Sequence, residues 1–303
     1  MRVFVTGGSG FIGSHLVNEL RHENDVVVLM RDIPSSLSPW GKWVSEAFQG
    51  CTIVLGDILN QRLLWRVLAE YRVEYVYHLA AQAVVSTALK DPTGTFQTNV
   101  LGTVNLLEAC RQVEVEKVLV MSTDKVYGDK FNASETDPLV STGTYETSKA
   151  AQDLAAQSFR NTYRMNIVIP RACNCYGFDL TPRIVSNTIR ACLRGESPII
   201  FEGERSIRQY IYVEDVCSAL IQLMESPENG VFNIATSDVL TQEEVVRIIL
   251  YFFPNLKPKY VKREPVKEIQ NQSMICSDFG WKQRYKFDEG IKETIERFRK
   301  WGW

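Results

Sequence analysis

A hydroxyl, a carboxylate and an amine follow one another where an apolar run ends. Val118–Met121 has the aliphatic character of a buried strand, and after one serine the chain continues with Thr123, Asp124 and Lys125. Such neighbours are costly in an apolar environment unless something uses them. The three residues are therefore candidates for acid–base chemistry. The alternative is a solvated turn with a surface ion pair of little energetic weight.

A tyrosine and a lysine stand four residues apart further along the chain. Positions i and i+4 share one face of a helix, so Tyr145 and Lys149 are predicted to lie side by side. An ammonium near a phenol favours the phenolate and lowers a pKa that is ordinarily about 10. The pair therefore predicts a base that takes a proton from a substrate hydroxyl at neutral pH.

The elements that must position these residues alternate between strands and helices. Continuous apolar strands separated by helical patterns predict the α/β class, with a doubly wound parallel sheet of the Rossmann type. Ligands of such sheets bind at the carboxyl ends of the strands, and the segment 123–125 lies at one of these ends. The predicted strands are Val3–Thr6, Val26–Met30, Thr52–Leu55, Tyr75–Leu79, Val118–Ser122 and Asn166–Pro170, and the predicted helices are Phe11–Leu20, Gln61–Tyr71, Phe96–Arg111 and Tyr145–Thr162.

The pattern loosens after about residue 172, where proline, glycine and charged residues become denser. We predict a dinucleotide-binding domain over 1–172, with returning segments around 209–240, and a smaller substrate-binding lobe over 173–303. Short strands are expected at Pro198–Phe201 and Val231–Ala235, and an amphipathic helix is expected at Asp288–Trp301.

A glycine-rich loop lies between the first predicted strand and the first predicted helix. Gly7, Gly10 and Gly13 have the spacing GxxGxxG, with Phe11 and Ile12 between the last two. This spacing lets backbone N–H groups approach a pyrophosphate, and the helix N-terminus adds a favourable partial charge. The loop therefore predicts a dinucleotide site.

The ends of the next two strands bear on which dinucleotide binds. Met30 stands where a ribose-binding carboxylate is usual, and Arg31 follows it. An arginine there pairs with a 2′-phosphate and favours NADP, whereas Asp32 reaching a ribose hydroxyl favours NAD. Asp57, after the third strand, either accepts a hydrogen bond from the adenine or caps the next helix.

Composition limits the classes of function. The chain has 303 residues, 45% of them hydrophobic and 23% charged, which suffices for the large core of a globular enzyme. The net charge of −2 and the lack of a long apolar run predict neither nucleic-acid nor membrane partners. Seven scattered cysteines and three histidines predict no metal site, and reduced thiols predict a cytoplasmic protein. His78, inside an apolar run, is interpreted as structural.

Segments along nearly the whole chain resemble the extended short-chain dehydrogenase/reductases, in the group of nucleotide-sugar epimerases and dehydratases. The resemblance rests on VTGGSGFIGSHL (5–16), GDI (56–58), YHLAAQA (77–83), NVLGTVNLLEA (99–109), STDKVYG (122–128), YETSK (145–149), RACNCYG (171–177), RQYIYVEDV (208–216) and FGWKQRYKFDEGIKETI (279–295). It implies an enzyme whose NADP or NAD is tightly bound and regenerated in each turnover. It also implies a homodimer formed through the helices around 96–111 and 145–162.

The residues beside the threonine separate two activities within this group. The 4-epimerases mostly lack an acid there, whereas the 4,6-dehydratases carry threonine followed by two ionisable residues. The segment 123–125 resembles the Asp-Lys branch, and the runs 78–103 and 175–196 look most like CDP-glucose and GDP-mannose 4,6-dehydratases. The resemblance implies a nucleotide-diphosphate-hexose 4,6-dehydratase. A UDP-sugar 4-epimerase and a non-catalytic dinucleotide-binding protein are the alternatives.

The elimination that such a dehydratase performs suggests roles for single residues. Thr123 and Tyr145 would act on the C4 oxygen of the hexose, and Asp124 would protonate the C6 hydroxyl. Lys125 would take the C5 proton or steady the enolate, and as a base it requires desolvation to lower its pKa. The expected cofactor contacts are Gly7, Gly10, Phe11, Ile12, Gly13, Arg31, Asp32, Asp57, Ile58, Leu79, Ala80, Ala81, Tyr145 and Lys149; the expected substrate contacts are Ser86, Arg183 and Arg263, with Asn174 and Arg208 at the diphosphate.

Overall fold

The computed structural model describes residues 1–140, 142–203, 206–262 and 271–302. Strands and helices alternate from the first residues onward, as the sequence predicts. The strands are β1 (Arg2–Thr6), β2 (Asp25–Met30), β3 (Thr52–Leu55), β4 (Tyr75–His78), β5 (Lys117–Val120), β6 (Ser122–Thr123), β7 (Lys130–Ala133), β8 (Ile167–Ala172), β9 (Asn174–Tyr176), β10 (Ile199–Glu202), β11 (Ile207–Tyr212), β12 (Gly230–Ile234), β13 (Val239–Thr241), β14 (Lys259–Lys262) and β15 (Asn271–Met274). The helices are α1 (Phe11–Leu20), α2 (Pro39–Ala47), α3 (Gln61–Glu70), α4 (Val85–Lys90), α5 (Pro92–Phe96), α6 (Gly102–Gln112), α7 (Thr144–Tyr163), α8 (Ile184–Leu193), α9 (Val213–Glu225), α10 (Gln242–Tyr251) and α11 (Phe287–Trp301).

The largest sheet has eight strands that pair in parallel. Their order is β12-β8-β5-β4-β1-β2-β3, and the short β6 continues the pairing with β8. The chain runs from β1 to β3 in one direction and from β4 to β8 in the other, so the strand order reverses at β1. A crevice for ligands opens at the carboxyl ends of strands at such a point. The predicted α/β class with a doubly wound Rossmann sheet is confirmed.

Two apolar layers cover the faces of this sheet. Phe4 packs with the layer that contains α3 and α6, whereas its neighbours Val3 and Val5 pack with the layer that contains α1 and α9. Strands buried on both faces read as continuous apolar runs, which is why the sequence shows them without alternation. The sheet is therefore a rigid base for the loops at its carboxyl edge.

A second group of strands stands over that edge. β11 pairs with β9 and β15 in parallel and with β13 in the opposite direction, and β15 also pairs with β7. β10 and β14 form a separate parallel pair. The helix α11 packs against Phe178 and α2: the ring centroids of Phe298 and Phe178 are 5.0 Å apart, and those of Trp301 and Trp43 are 5.9 Å apart.

One predicted helix is interrupted near the cleft. The helix predicted over Phe96–Arg111 consists of α5, a π-helical turn over Gln97–Leu101, and α6. Inside that turn Asn99 accepts a hydrogen bond from the Gln82 backbone and donates to the Ser148 hydroxyl, and these long-range contacts account for the wider turn.

Among the described helices, none is both long and apolar enough to span a bilayer.

Candidate active site

The glycine loop after β1 has a conformation that side chains would obstruct. Gly7 has a φ of 70°, and a Cβ there would lie 2.5 Å from the Ala80 nitrogen. A Cβ on Gly13 would lie 2.1 Å from the Gly7 carbonyl oxygen. α1 begins after Gly10 with no side-chain cap and no acidic residue in its first turn, so nothing competes for its first N–H groups. This backbone cradle fits a pyrophosphate.

A cleft of about 1730 Å³ runs from the glycine loop to the second group of strands. All of the predicted cofactor contacts line it, and so do four of the predicted substrate contacts. Arg263 lies outside the described residues. The lining cofactor candidates are Gly7, Gly10, Phe11, Ile12, Gly13, Arg31, Asp32, Asp57, Ile58, Leu79, Ala80, Ala81, Tyr145 and Lys149, and the lining substrate candidates are Ser86, Asn174, Arg183 and Arg208.

The loops after β2 and β3 line the part of the cleft where the Rossmann pattern predicts the adenosine of a dinucleotide. Met30 is buried, while Arg31 and Asp32 are exposed at the cleft wall. Asp57 accepts a hydrogen bond from the Leu59 nitrogen at 2.8 Å. The cap of α3 is Asn60, so the alternative that Asp57 caps this helix is wrong. Asp57 instead begins a tight turn, in which the Asn60 nitrogen donates to its carbonyl oxygen at 3.0 Å, and it lines the cleft.

Thr123 and Asp124 form a buried hydrogen-bonded pair at the opposite end of the cleft. The Thr123 hydroxyl donates to Asp124 Oδ1 at 2.9 Å, and the Asn174 amide donates to Oδ2 at 3.4 Å. Asp124 is 3% exposed. A carboxylate buried to this extent is not part of a solvated turn, so its environment is that of a functional or tightly structural group.

Lys125 points toward the second group of strands. Its Nζ donates to Gln272 Oε1 at 2.9 Å and lies 3.5 Å from Asn174 Oδ1. Burial lowers the pKa of Lys125, the Asp124 carboxylate opposes that shift, and the Arg208 guanidinium adds to it. The direction is the one that a lysine base requires.

Tyr145 lies in the first turn of α7 and faces the same cleft. Burial raises its pKa to about 12, and the Arg183 guanidinium and a hydrogen bond with Thr123 only partly offset that shift. The Tyr-x-x-x-Lys spacing predicts a lowered pKa, and the structure differs because desolvation of the phenol outweighs the nearby positive charge. The phenol is protonated at neutral pH in this state of the protein.

Lys149 lies one turn further along α7. Its Nζ donates to the Met121 carbonyl oxygen at 2.6 Å and to the side chain of Gln152. Burial lowers the pKa of Lys149 to about 7, and the Asp153 carboxylate opposes that shift. The lysine therefore ties α7 to the point where β5 ends and residues 122–128 begin. We call this segment the catalytic turn, after the candidate residues that it carries.

A buried ion pair fixes α7 against the catalytic turn. Arg171 on β8 donates to both carboxylate oxygens of Asp153, at 2.8 and 2.9 Å, and to the Tyr127 hydroxyl at 2.7 Å. The Ser122 hydroxyl donates to the same Asp153 carboxylate at 2.7 Å. Because Ser122 precedes Thr123 and Tyr127 ends the turn, this pair links the helix to both ends of the turn.

Sequence reasoning missed Glu146, Gln272 and the Arg171–Asp153 pair. Glu146 lines the cleft, is 8% exposed and acts electrostatically on Lys125 and Tyr145. Its place next to Tyr145 was the only signal that could have revealed it. Gln272 offered none, because 147 positions separate it from Lys125 along the chain.

His78 has the structural position that the sequence predicts. Its two ring nitrogens lie 2.7 Å from the hydroxyls of Thr6 and Thr103, which joins β4 to β1 and α6. Burial lowers the pKa of His78 to about 3, so the ring is neutral.

In the described part of the chain, no group of three or more histidine, cysteine or acidic residues is arranged to hold a metal ion.

Comparison with known proteins agrees with this architecture. The model of the NAD dependent epimerase/dehydratase family matches residues 3–235. A UDP-glucuronic acid decarboxylase of Arabidopsis thaliana is 29% identical, over 99% of this chain and 89% of the relative. The solved UDP-glucose 4-epimerase of Thermotoga maritima with UDP-glucose has a TM-score of 0.89 and 30% identity, covering 99% of each chain.

A third similar protein has a different activity again. The dTDP-glucose 4,6-dehydratase of Streptomyces venezuelae, solved with NAD, has a TM-score of 0.87 and 27% identity, covering 99% of this chain and 97% of its own. A decarboxylase, an epimerase and a dehydratase therefore resemble this chain to nearly the same degree. Overall likeness does not choose among them, and the choice rests on the residues of the site.

Proposed function

Because the chain belongs to the NAD dependent epimerase/dehydratase family of enzymes, we propose that it is a nucleotide-diphosphate-hexose 4,6-dehydratase. Its product would be the 4-keto-6-deoxy sugar, with loss of one water. The observation that carries the proposal is Asp124, a buried carboxyl group at the cleft wall that accepts hydrogen bonds from the Thr123 hydroxyl and the Asn174 amide. Dehydration needs an acid and a base beside the oxidised carbon, and this turn supplies both.

The first step is oxidation at C4 of the hexose. Gly7, Gly10 and Gly13 would hold a nicotinamide dinucleotide, which would supply the hydride chemistry that oxidation at C4 and reduction at C6 require. Tyr145 would take the proton of the C4 hydroxyl, and Thr123 would donate a hydrogen bond to the C4 oxygen. Since the phenol is protonated in this state of the protein, the base role requires that a bound cofactor and substrate lower its pKa.

The second step is elimination across C5 and C6. The C4 carbonyl makes the C5 hydrogen acidic, and Lys125 in its neutral form would take that proton. Asp124 in its protonated form would give a proton to the C6 hydroxyl, which leaves as water. Reduction at C6 leaves an enolate that needs a proton at C5, and Lys125 would give back the proton that it took. The proton that Tyr145 took from the C4 hydroxyl must then pass to Asp124 in each turnover, and the Thr123 hydroxyl is hydrogen-bonded to both residues. The net change is the loss of one water.

Either nicotinamide dinucleotide fits the adenosine end of the cleft. Arg31, exposed at the wall, supports NADP, whereas the dehydratase from Streptomyces venezuelae was solved with NAD. We propose NADP, and titration of the cofactor-free protein with each dinucleotide decides the matter. Tighter binding of NAD would assign the ribose contact to Asp32.

The deciding experiment incubates the purified protein with a panel of CDP-, GDP-, UDP- and dTDP-hexoses and analyses the products by mass spectrometry. Loss of one water from one of these sugars is the expected result. UDP-glucuronic acid belongs in the panel, since loss of carbon dioxide from it would show a decarboxylase. The Lys125→Met variant serves as the control for the turn, because normal dehydration by it would exclude the lysine from the chemistry.

A 4-epimerase is the second candidate, supported by the likeness to the Thermotoga maritima enzyme. Epimerisation needs the oxidation at C4 but no acid for the C6 hydroxyl. A product of unchanged mass and inverted C4 configuration would establish it. Asp124 and Lys125 would then be a buried polar pair without a chemical step.

We also propose a homodimer. Four large apolar side chains are exposed on α4, the end of α5, the π-helical turn and α7. Apolar residues scattered singly on a surface need no explanation, but four on these neighbouring segments support an interface with a second copy of the chain. Light scattering should give twice the monomer mass, and charged substitutions at two of these positions should return it to the monomer value. The four residues are Leu89, Phe96, Leu101 and Leu154.

A further inference from the structure

One amide from the second group of strands contacts the catalytic turn at two positions, Lys125 and Gly128. Gln272 is 2% exposed, its Oε1 accepts from Lys125 Nζ at 2.9 Å, and its Nε2 donates to the Gly128 carbonyl oxygen at 3.2 Å. An ammonium can only donate and a carbonyl can only accept, so these contacts fix which way the amide points. Asparagine is too short for this reach, and a carboxylate cannot donate.

The strand that carries this amide is itself held on both sides. In β15, Gln272 is opposite Arg208 of β11 and Lys130 of β7, and the Met274 nitrogen donates to the Gln209 side chain at 2.9 Å. Because two neighbouring strands fix Gln272, its side chain has little freedom to move when the Lys125 amine moves. The position of the Lys125 amine therefore depends on the second group of strands.

We propose that Gln272 is a positioning residue for Lys125: it holds the amine at the cleft wall and does so as a neutral group. The inference rests on the proposed function, in which Lys125 takes the C5 proton. A carboxylate at position 272 would hold the amine equally well but would favour the charged ammonium, which cannot act as a base.

The charges around Lys125 explain why a neutral partner matters. Asp124 and Glu146 favour the ammonium, whereas burial and the guanidinium groups of Arg208 and Arg183 disfavour it. The balance of these influences lowers the pKa of Lys125, with burial the largest of them, so one more negative charge in direct contact would favour the ammonium. An amide fixes the geometry and leaves that balance in place.

The test measures Lys125 in the substrate-free protein. Trace acetylation with acetic anhydride over a range of pH, followed by peptide mass spectrometry, gives the pKa of this lysine. Gln272→Met removes the acceptor and should lower the pKa by about one unit, while Gln272→Glu should raise it by about one unit. The pH at half-maximal turnover should rise with it in Gln272→Glu.

Ser273→Ala is the matched control. Ser273 lies next to Gln272 in β15, but its hydroxyl accepts a hydrogen bond from the Asn132 nitrogen of β7 at 2.9 Å. If Gln272→Met does not fold, Gln272→Glu alone carries the test. A Lys125 pKa that stays at the control value, or moves the same way in both variants, overturns the proposal. Failure of the proposed function would appear instead in the sugar panel, which leaves the acetylation result unaffected.

Discussion

The two ends of the cleft are built in different ways. The glycine loop is made of backbone, and the contacts that shape it come from Gly7, Gly13 and the nearby end of β4. The catalytic turn is made of ionisable side chains, and its contacts come from α7, β8, β9 and β15. In the proposed mechanism, local backbone geometry would set cofactor binding, whereas long-range packing would set the acid–base chemistry. Substitutions at the two ends should fail in different ways.

The largest effect is expected from Asp124→Asn. The amide keeps the size of the carboxyl group but cannot give a proton to a leaving hydroxyl, so dehydration should fall by about 10²- to 10⁴-fold. Binding of the dinucleotide at the far end of the cleft should not change. Product analysis by mass spectrometry and a dinucleotide titration measure the two quantities on one preparation. Dehydration at the wild-type rate would remove Asp124 from the mechanism.

A loss of stability is expected from Asp153→Ala, behind the catalytic turn. The variant leaves the guanidinium of Arg171 buried without its carboxylate, which should cost about 3–5 kcal/mol in the free energy of unfolding. Urea denaturation measures this. Glu196→Ala, which breaks the exposed pair with Arg194, is the matched control and should show no measurable change. Equal stability of the two variants would mean that the buried pair is not holding α7.

At the glycine loop, a substitution should destabilise the protein through a backbone clash. Gly7→Ala places a Cβ against the Ala80 backbone at a positive φ and should destabilise the protein by about 2–4 kcal/mol. Gly50→Ala has a φ of 82° with nothing within 4 Å, so it should cost only about 1 kcal/mol. The difference between the two variants isolates the clash from the strained φ. Denaturation curves and dinucleotide affinity test both, and equal losses would refute the cradle.

The same contrast explains what the sequence predicts well. α1 is found over the predicted Phe11–Leu20, and β3 over the predicted Thr52–Leu55. Apolar runs, helical periodicity and glycine spacing are properties of neighbouring residues, so they can be read without knowing the fold. The sheet and the glycine loop follow from them, and so does the placement of a polar segment at a strand end.

The features that escaped prediction depend on residues far apart in the chain. The π-helical turn around Asn99 follows from contacts with Gln82 and Ser148. The raised pKa of Tyr145 follows from burial, which the four-residue spacing to Lys149 does not reveal. Burial and long-range hydrogen bonds are products of the assembled fold, so they decide the chemistry of the turn after the elements are in place.

The smallest effect, per unit of pH, is a change in the free energy of unfolding caused by Lys149. It tests whether burial lowers the pKa of the lysine that lies one turn beyond Tyr145 on α7. Its pKa falls from 10.5 to about 7 in the folded protein. Between these values the unfolded chain binds the extra proton, so the free energy of unfolding should rise by about 1.4 kcal/mol per pH unit. Lys149→Met lacks this contribution, and other titrating groups largely cancel in the difference between the two proteins. Urea denaturation at several pH values between 7 and 10.5 measures that difference. Parallel stability curves would show that the folded protein leaves the lysine at its ordinary pKa, and that its hydrogen bond to Met121 compensates for burial.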